Sequence, residues 1–468
     1  MPYMRVAVYI LACAGITMIG SLYSTLNFAW VCMVAKSRCH FNETTNHTET
    51  VWNSTTGYHW DESTQQNLFA AYSIGGLLVS IPSGRLIDRF GSRIALSVGI
   101  TLSSIATIMI PVSAPHGWGI VFFLRLVVGI GCGTYWQVVY NVAAKWSPKS
   151  EKGLAMGIIS GGFQIGQFLN TILGGLECHN IGWEWMFYIN GIAGLIFSCG
   201  WLALYRNSPS SHKLVSGKER ARIMSNPNID PSAMKKKLKI PWLAIFTSLP
   251  VWACIICRFC AIYISFAVNQ FTPTYFKQVF DIDLANNGYL SSVPLLVQFI
   301  GRWVTGPLSD VKVFSITTRL KIFTAIGLLG SACCGLGLGF LPRHVTEAAP
   351  VILLCGVMIF VSFITGGFQR SPLNMCPQYS STVGSLMNVS GNVASVVLPY
   401  IVGSIISHYN NSGTCTTSTN AWHVVFYTVA AVGAFGTLVF AVFGSGKRQK
   451  WATPKTEPQD NNIVIVRF

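Results

Sequence analysis

The sequence predicts an all-α multi-pass membrane protein: twelve transmembrane helices in two pseudo-repeated six-helix bundles. Three observations carry that expectation. Of 468 residues 51% are hydrophobic and 10% charged, whereas a soluble domain carries about 25% charged residues. Apolar runs of about 20 residues, the length that crosses a bilayer, recur along the chain. A glycine-to-aspartate turn occurs twice, at equivalent places in the two halves, which is the mark of an internal repeat.

The runs fall near 8–33, 66–87, 94–112, 120–144, 153–176, 185–205, 248–272, 285–307, 321–341, 350–371, 382–407 and 422–444, spans 1 to 12. They divide the chain into a first bundle (1–205), a linker (206–241), a second bundle (242–444) and a tail (445–468). Only Met1 to Arg5 precede span 1, and no small-residue cleavage site follows it, so it is expected to be an uncleaved start helix.

The net charge of +16 records orientation rather than nucleic-acid binding, because the basic residues are segregated by loop. With both termini cytoplasmic, the inner segments hold Arg85, Arg89 and Arg93, then Lys145, Lys149 and Lys152, the run from Arg206 to Lys239, Lys312 to Lys321, and Lys447 to Lys450. The outer loops hold Lys36, Arg38, Lys277 and Arg343. Acceptor patterns for N-linked glycans agree: Asn42, Asn46 and Asn53 fall in the first outer loop and Asn410 in the last. Asn388 also matches, but inside a span where no glycan can be attached.

Span 2 ends in Gly84-Arg85-Leu86-Ile87-Asp88-Arg89-Phe90-Gly91-Ser92-Arg93, a tight link whose glycines allow close helix approach and whose acid can hold opposing basic groups. Its echo after span 8 is Gly306-Pro307-Leu308-Ser309-Asp310. Asp88 with Arg89 and Arg93, and Asp310, are therefore expected to stabilise one closed state at the cytoplasmic face. The linker is polar and basic; its Lys235, Lys236 and Lys237 either touch anionic membrane lipid or simply obey the inside-positive bias. Cys254, Cys257 and Cys260 form a CxxCxxC run on an apolar helix with no loop to fold round a metal, so they read as small packing residues. Cys39, Cys178 and Cys415 lie in outer loops, where two of them can pair.

The chemistry is expected where charge meets the membrane interior. Arg125 sits about seven residues, roughly 10 Å, from the polar break near Trp118 at the start of span 4, with no acid on that helix. An arginine at bilayer depth costs about 2.5 to 3.5 kcal/mol and marks a functional site. Arg258 lies at similar depth on span 7, and an anion between two such groups recovers about 4 kcal/mol per contact at 4 Å and an effective dielectric near 20. The plainer alternative is an arginine that bonds backbone carbonyls or reaches outward to the interface. Arg302, on span 8 near Asp310, is assigned to the cytoplasmic gate.

Several motifs are more specific. Arg125 is followed by Gly129 and Gly133 and by Lys145-Trp146-Ser147-Pro148 with Glu151; Gly182-Trp183 leads to Phe187-Tyr188; Ser248-Leu249-Pro250-Val251, Ser292-Val293-Pro294 and Gly444-Ser445-Gly446-Lys447 with Trp451 follow. Together with the loop signature GRLIDRFGSR, the chain resembles the major facilitator superfamily over nearly its whole length. Within it, the chain is similar to the anion:cation symporter family of vesicular glutamate transporters, sialin and sodium–phosphate cotransporters. The resemblance implies that Arg125 and Arg258 form an anion-binding pair, one from each half. It also exposes departures: Thr25 stands where members often carry a third arginine, Cys132 where proton-coupled members carry a glutamate, and Phe69 where vesicular glutamate carriers carry a histidine.

All 16 acids can be placed in loops or at helix ends. A proton relay needs Asp, Glu or His along its path, so sodium-coupled or potential-driven transport is expected ahead of proton symport, with Na+ as the coupling ion and no cofactor. Asn27, Tyr135, Gln164, Asn269 and Asn392 are expected to add selectivity to the substrate site, and Gln137, Gln167, Asn170, Gln298 and Asn388 are further neutral candidates; any single one of the ten more often bonds between helices than contacts a ligand. Gly157, Gly161, Gly162 and Gly166 give span 5 the spacing for tight packing. Asn170 and Thr171 replace the Gly-Pro that superfamily antiporters tend to show, which disfavours exchange. The tail ends Ile463-Val464-Ile465-Val466-Arg467-Phe468, a segment that can add as a strand to a PDZ-type domain or stay unpartnered.

The expectation is a carrier for a small anionic solute working by alternating access. A non-transporting receptor or scaffold that keeps the fold is the rival reading, favoured by the missing acid, histidine and arginine and opposed by the retained arginines. No nucleophile, metal cluster or nucleotide loop suggests an enzyme.

Overall fold

Backbone groups buried in hydrocarbon have no water to bond, so each long apolar run must close on itself as a helix. A computed structural model describes residues 4–33, 37–42, 47–52, 58, 60, 62–148, 151–209, 215–224, 241–280, 284–311, 314–341, 348–410 and 419–452. Span 1 is α1 (Met4–Met33). Spans 2 and 3 form α2 (Glu62–Ser113), broken at Gly91, whose φ of 76° is left-handed and where an added Cβ would collide with Asn207. Span 4 is α3 (Trp118–Cys132) and α4 (Tyr135–Trp146), joined through Gly133 and Thr134. Spans 5 and 6 are α5 (Lys152–Asn180) and α6 (Glu184–Leu204).

After the linker helix α7 (Gly217–Met224) and the short α8 (Trp242–Phe246) come α9 (Leu249–Phe280), α10 (Leu284–Leu308) and α11 (Ile316–Gly339) for spans 7 to 9. Span 10 is interrupted, α12 (Ala348–Phe363) resuming as α13 (Ser371–Met375). Spans 11 and 12 are α14 (Ser380–Asn410) and α15 (Thr419–Phe443). The elements overrun the apolar runs at most ends because helix continues into the polar boundary. The first loop between spans also holds a hairpin, β1 (Ser37–Asn42) antiparallel to β2 (His47–Trp52), with Ser37 opposite Trp52 and Asn42 opposite His47.

Among the described residues ten segments are apolar and long enough to cross a bilayer unaided. The remaining two spans, α5 and α10, are long enough, at 29 and 25 residues, but more polar. Their polar groups are buried, including Ser160, Gln164, Gln167 and Asn170 on α5 and Gln298 and Arg302 on α10. These helices press on each other, and a helix facing a neighbour need not be greasy all round. Elsewhere residues such as Leu78, Ile196, Ile352 and Leu438 stand exposed, as lipid-facing side chains should.

The halves meet along two seams, α5 against α10 and α2 against α14. Close approach needs glycine here. Added Cβ atoms on Gly153 and Gly306 would lie 2.6 and 2.8 Å from each other's carbonyl oxygens, and one on Gly157 would lie 2.7 Å from the Arg302 carbonyl. Gly162 and Gly166 face the opposite way, where Cβ atoms would meet the carbonyls of Cys13 and Thr17 on α1 at 2.2 and 2.0 Å.

The linker docks on the first half: Glu219 of α7 accepts from the backbone N–H groups of Met4 and Arg5, both at 3.1 Å, an acid on a helix N-terminus. Cys254, Cys257 and Cys260 pack in the apolar core of the second half. Cys32, at the end of α1, is disulfide-bonded, so the bridge is not confined to the three loop cysteines expected from sequence. Asn42 closes β1 and Asn410 is the last residue of α14 rather than part of a loop; Asn46 and Asn53 lie outside the described residues, as do Lys235 to Lys237 and the tail from residue 453.

Candidate substrate site and gate

Arg125 is 1% exposed, held in α3 by a helix with no acid on it. Its guanidinium donates to the backbone carbonyls of Tyr23 at 3.3 and 3.4 Å and Leu22 at 3.5 Å, and lies 5.5 Å from the centre of the Tyr72 ring. These bonds are long, beyond the usual 2.7 to 3.2 Å, so they hold the group in place without saturating it. Thr25, at the position lacking an arginine, donates instead to the Ser21 carbonyl and to Asn170. Cys132 is buried and donates to the Ser103 hydroxyl at 3.3 Å.

Arg258, 4% exposed on α9, is served differently. It stacks 4.2 Å over the ring of Trp136 across the interface between the halves. A desolvated cation–π contact contributes about 2 kcal/mol, less than the 2.5 to 3.5 kcal/mol cost of burying the charge. The ring accepts no in-plane hydrogen bond, so the N–H edge of the guanidinium is presented to whatever lies beside it. Tyr135 stands there, its hydroxyl against Arg258 and its ring stacked on Phe163 at 5.2 Å.

Arg302 joins this cluster, not the gate. It is 6% exposed, donates to the Ser160 carbonyl at 3.3 Å across the α5–α10 seam, and sits close enough to Arg258 and Tyr135 for their charges to interact. The structure thus brings together Arg258, Arg302 and Tyr135, whereas Arg125 has its own surroundings of Tyr23, Tyr72 and Cys132. Tyr23 links the two regions through ring contacts with Tyr72 and Phe163 at 4.8 and 5.6 Å.

A small cavity is lined by Ser24, Asn27, Phe28, Gln167, Thr171, Asn269, Pro273 and Leu295, from both halves. The side-chain oxygens of Asn27, Gln167 and Asn269 have no hydrogen-bond partner. The space suits a water or a single ion and excludes an organic solute. Gln164 is buried with its side-chain oxygen unpartnered, whereas Asn392 lies in the α2–α14 seam and donates to the Ser80 hydroxyl at 2.9 Å. Asn388 donates to the same hydroxyl at 3.0 Å.

At the linker end of the seams Asp310 accepts from Arg370 at 2.6 Å and from the backbone N–H groups of Gly153 and Leu154, so an acid of the second half caps α5 of the first. Burial pushes the pKa of Asp310 up, against the lowering influence of Arg370 and those amides. Gly84 faces Ser385 in the other seam, 3.2 Å from a built Cβ. The expected basic members stay within their own half: Arg93 donates to the Leu202 carbonyl, and Arg89 lies over Phe90. The side chain of Asp88 is outside the described set. At the opposite end the Tyr400 hydroxyl donates to Asn67 at 3.0 Å.

Sequence reasoning missed Trp136 and Arg370. Trp136 adjoins Tyr135, and an aromatic pair directly after a glycine-containing break is a usable signal; Arg370 had only the absence of a nearby acid to recommend it.

Residues 5–399 match the Major Facilitator Superfamily model. Sialin of Ovis aries is 28% identical over 403 residues, covering 84% of this chain and 78% of that protein. Sodium-dependent phosphate transport protein 3 of Mus musculus is 28% identical over 403 residues, 85% and 82% of the two chains. Vesicular glutamate transporter 3 of Danio rerio is 28% identical over 414 residues, 87% and 68%. The fold is similar to that of a proton:xylose symporter at a TM-score of 0.72 and 13% identity, covering 95% of this chain and 97% of that one.

Proposed function

We propose a function from one premise: the chain belongs to the major facilitator superfamily. It is a membrane transporter, and the reading supported best is a secondary carrier of small organic anions or inorganic phosphate that works by alternating access. The observation that carries this is a membrane interior holding Arg125, Arg258 and Arg302, all buried, with no salt bridge to an acid among the described residues. The relatives named for phosphate and glutamate point to the same class of solute. Arg258, Arg125, Tyr135 and Gln164 contact the anion, and the closed linker face is the Asp310–Arg370 contact.

Transport is coupled to sodium or driven by the membrane potential. The small cavity supplies the neutral oxygens that a hard cation takes, from Ser24, Asn27, Gln167 and Asn269. Both termini lie in the cytoplasm, the hairpin face is outside or lumenal with glycans on its sequons, and the protein resides in the plasma or an endolysosomal membrane. The test is uptake of labelled anions into proteoliposomes with sodium, proton gradient and voltage varied separately. Saturable uptake that follows sodium or voltage is expected. Uptake that follows the proton gradient alone overturns the coupling, and ligand-dependent stabilisation without uptake overturns the carrier.

A further inference from the structure

Asp310 is committed to Arg370 and to the α5 amides, so Arg302 has no part in that contact. It lies eight residues before Asp310, about 12 Å at 1.5 Å per residue, at the level of Ser160, about two turns into α5. Its Nε is buried without a hydrogen-bond partner. Gln298, one turn earlier on the same face and fully buried, has both amide atoms unpartnered, and the Ser160 hydroxyl is buried and unpartnered too. Buried polar groups are normally bonded; the unpartnered Gln298 amide and Ser160 hydroxyl, next to Arg302 along α10 and across the α5–α10 seam, describe a site that an oxyanion can complete.

Charge then decides which oxyanion. Arg125 stands apart from the other two, held by the carbonyls of Leu22 and Tyr23 and beside the Tyr72 ring. Arg302 bonds the Ser160 carbonyl, one turn from Phe163, on which Tyr135 stacks next to the Trp136 ring under Arg258, so the two like charges share one neighbourhood and no acid is paired with either among the described residues. A monovalent occupant would leave one positive charge uncompensated at low dielectric; a divalent one leaves none. We propose that Arg302 is a specificity-determining residue of the central site, and that the Arg258–Arg302 pair selects anions carrying two negative charges over isosteric anions carrying one. The inference rests on the carrier reading above and goes beyond it in naming the charge of the solute.

The test compares succinate with succinamate and sulfate with methanesulfonate, each labelled, in proteoliposomes of the full chain at pH 7.5. The wild type is expected to take up each dianion at least tenfold faster than its monovalent counterpart. Arg302→Gln should lower that ratio at least tenfold and Arg302→Lys should restore most of it, whereas a merely structural arginine would lower both fluxes alike. Should Arg302→Gln fail to reach the membrane, thermal stabilisation of the detergent-solubilised wild type by each anion decides: a larger shift with the dianions supports the pair, equal shifts overturn it. A ratio unchanged in Arg302→Gln, or a wild type that prefers monoanions, overturns the inference while leaving the carrier intact. No uptake and no stabilisation by any anion overturns both.

Discussion

Arg125 and Arg258 look alike in sequence, each a lone arginine in a long apolar helix, yet the molecule serves them in different ways. Arg125 is tied to the main chain of α1 through the Leu22 and Tyr23 carbonyls. Arg258 rests on the face of Trp136, which offsets part of the burial cost and leaves its donor edge to Tyr135 and to whatever enters beside it. The first arrangement makes the guanidinium part of the packing of one half; the second makes it a surface of the interface, with Trp136 contributed from the other half. A carrier needs both, a fixed point and a group whose surroundings change when the halves part.

That contrast can be broken most directly at Arg258. Arg258→Ala should cut saturable anion uptake by about 100-fold or more, the loss of buried charge-assisted bonds of about 1.5 to 3 kcal/mol each, with surface expression retained; normal uptake would refute the site. Next, Trp136→Leu removes a cation–π contact of about 2 kcal/mol, so half-saturation should rise about 30-fold with the maximal rate kept. An unchanged half-saturation constant would mean that the ring is only packing. Arg125→Met should lower uptake by about tenfold and also lower the melting temperature of the solubilised protein, because it unties α3 from α1. If Arg125→Met and Arg258→Ala give equal losses and neither alters melting, the distinction between the two arginines is void.

The smallest effect is expected at the gate. Asp310→Asn should speed amide exchange at Gly153 and Leu154 by about threefold to tenfold, a local opening that leaves the fold intact. Exchange at those two amides that is unchanged in Asp310→Asn would remove Asp310 from the gate.

The spans were legible because hydrocarbon leaves the backbone one solution, and the paired turns because Gly84 to Asp88 and Gly306 to Asp310 repeat a spacing. What sequence could not supply was partnership. Arg302 stands near Asp310 along the chain and was assigned to it on that ground, but the α5–α10 seam carries it to Ser160 and Arg258. Arg370 reaches Asp310 only because span 10 breaks between α12 and α13. The hairpin went unseen because its strands lie in a polar, sequon-rich loop with little apolar alternation. Cys32 was overlooked because it reads as part of an apolar helix.

α5 carries glycines on two opposite faces, one set against α1 and the other against α10. On the α1 side the contact joins neighbours in one bundle and can stay shut throughout the cycle. On the α10 side the same smoothness has another use, since backbone resting on backbone has no interlocked side chains to drag apart. The helix therefore works as a bearing, welded along one edge and free to slide along the other, and a methyl group added to the sliding edge would act as grit.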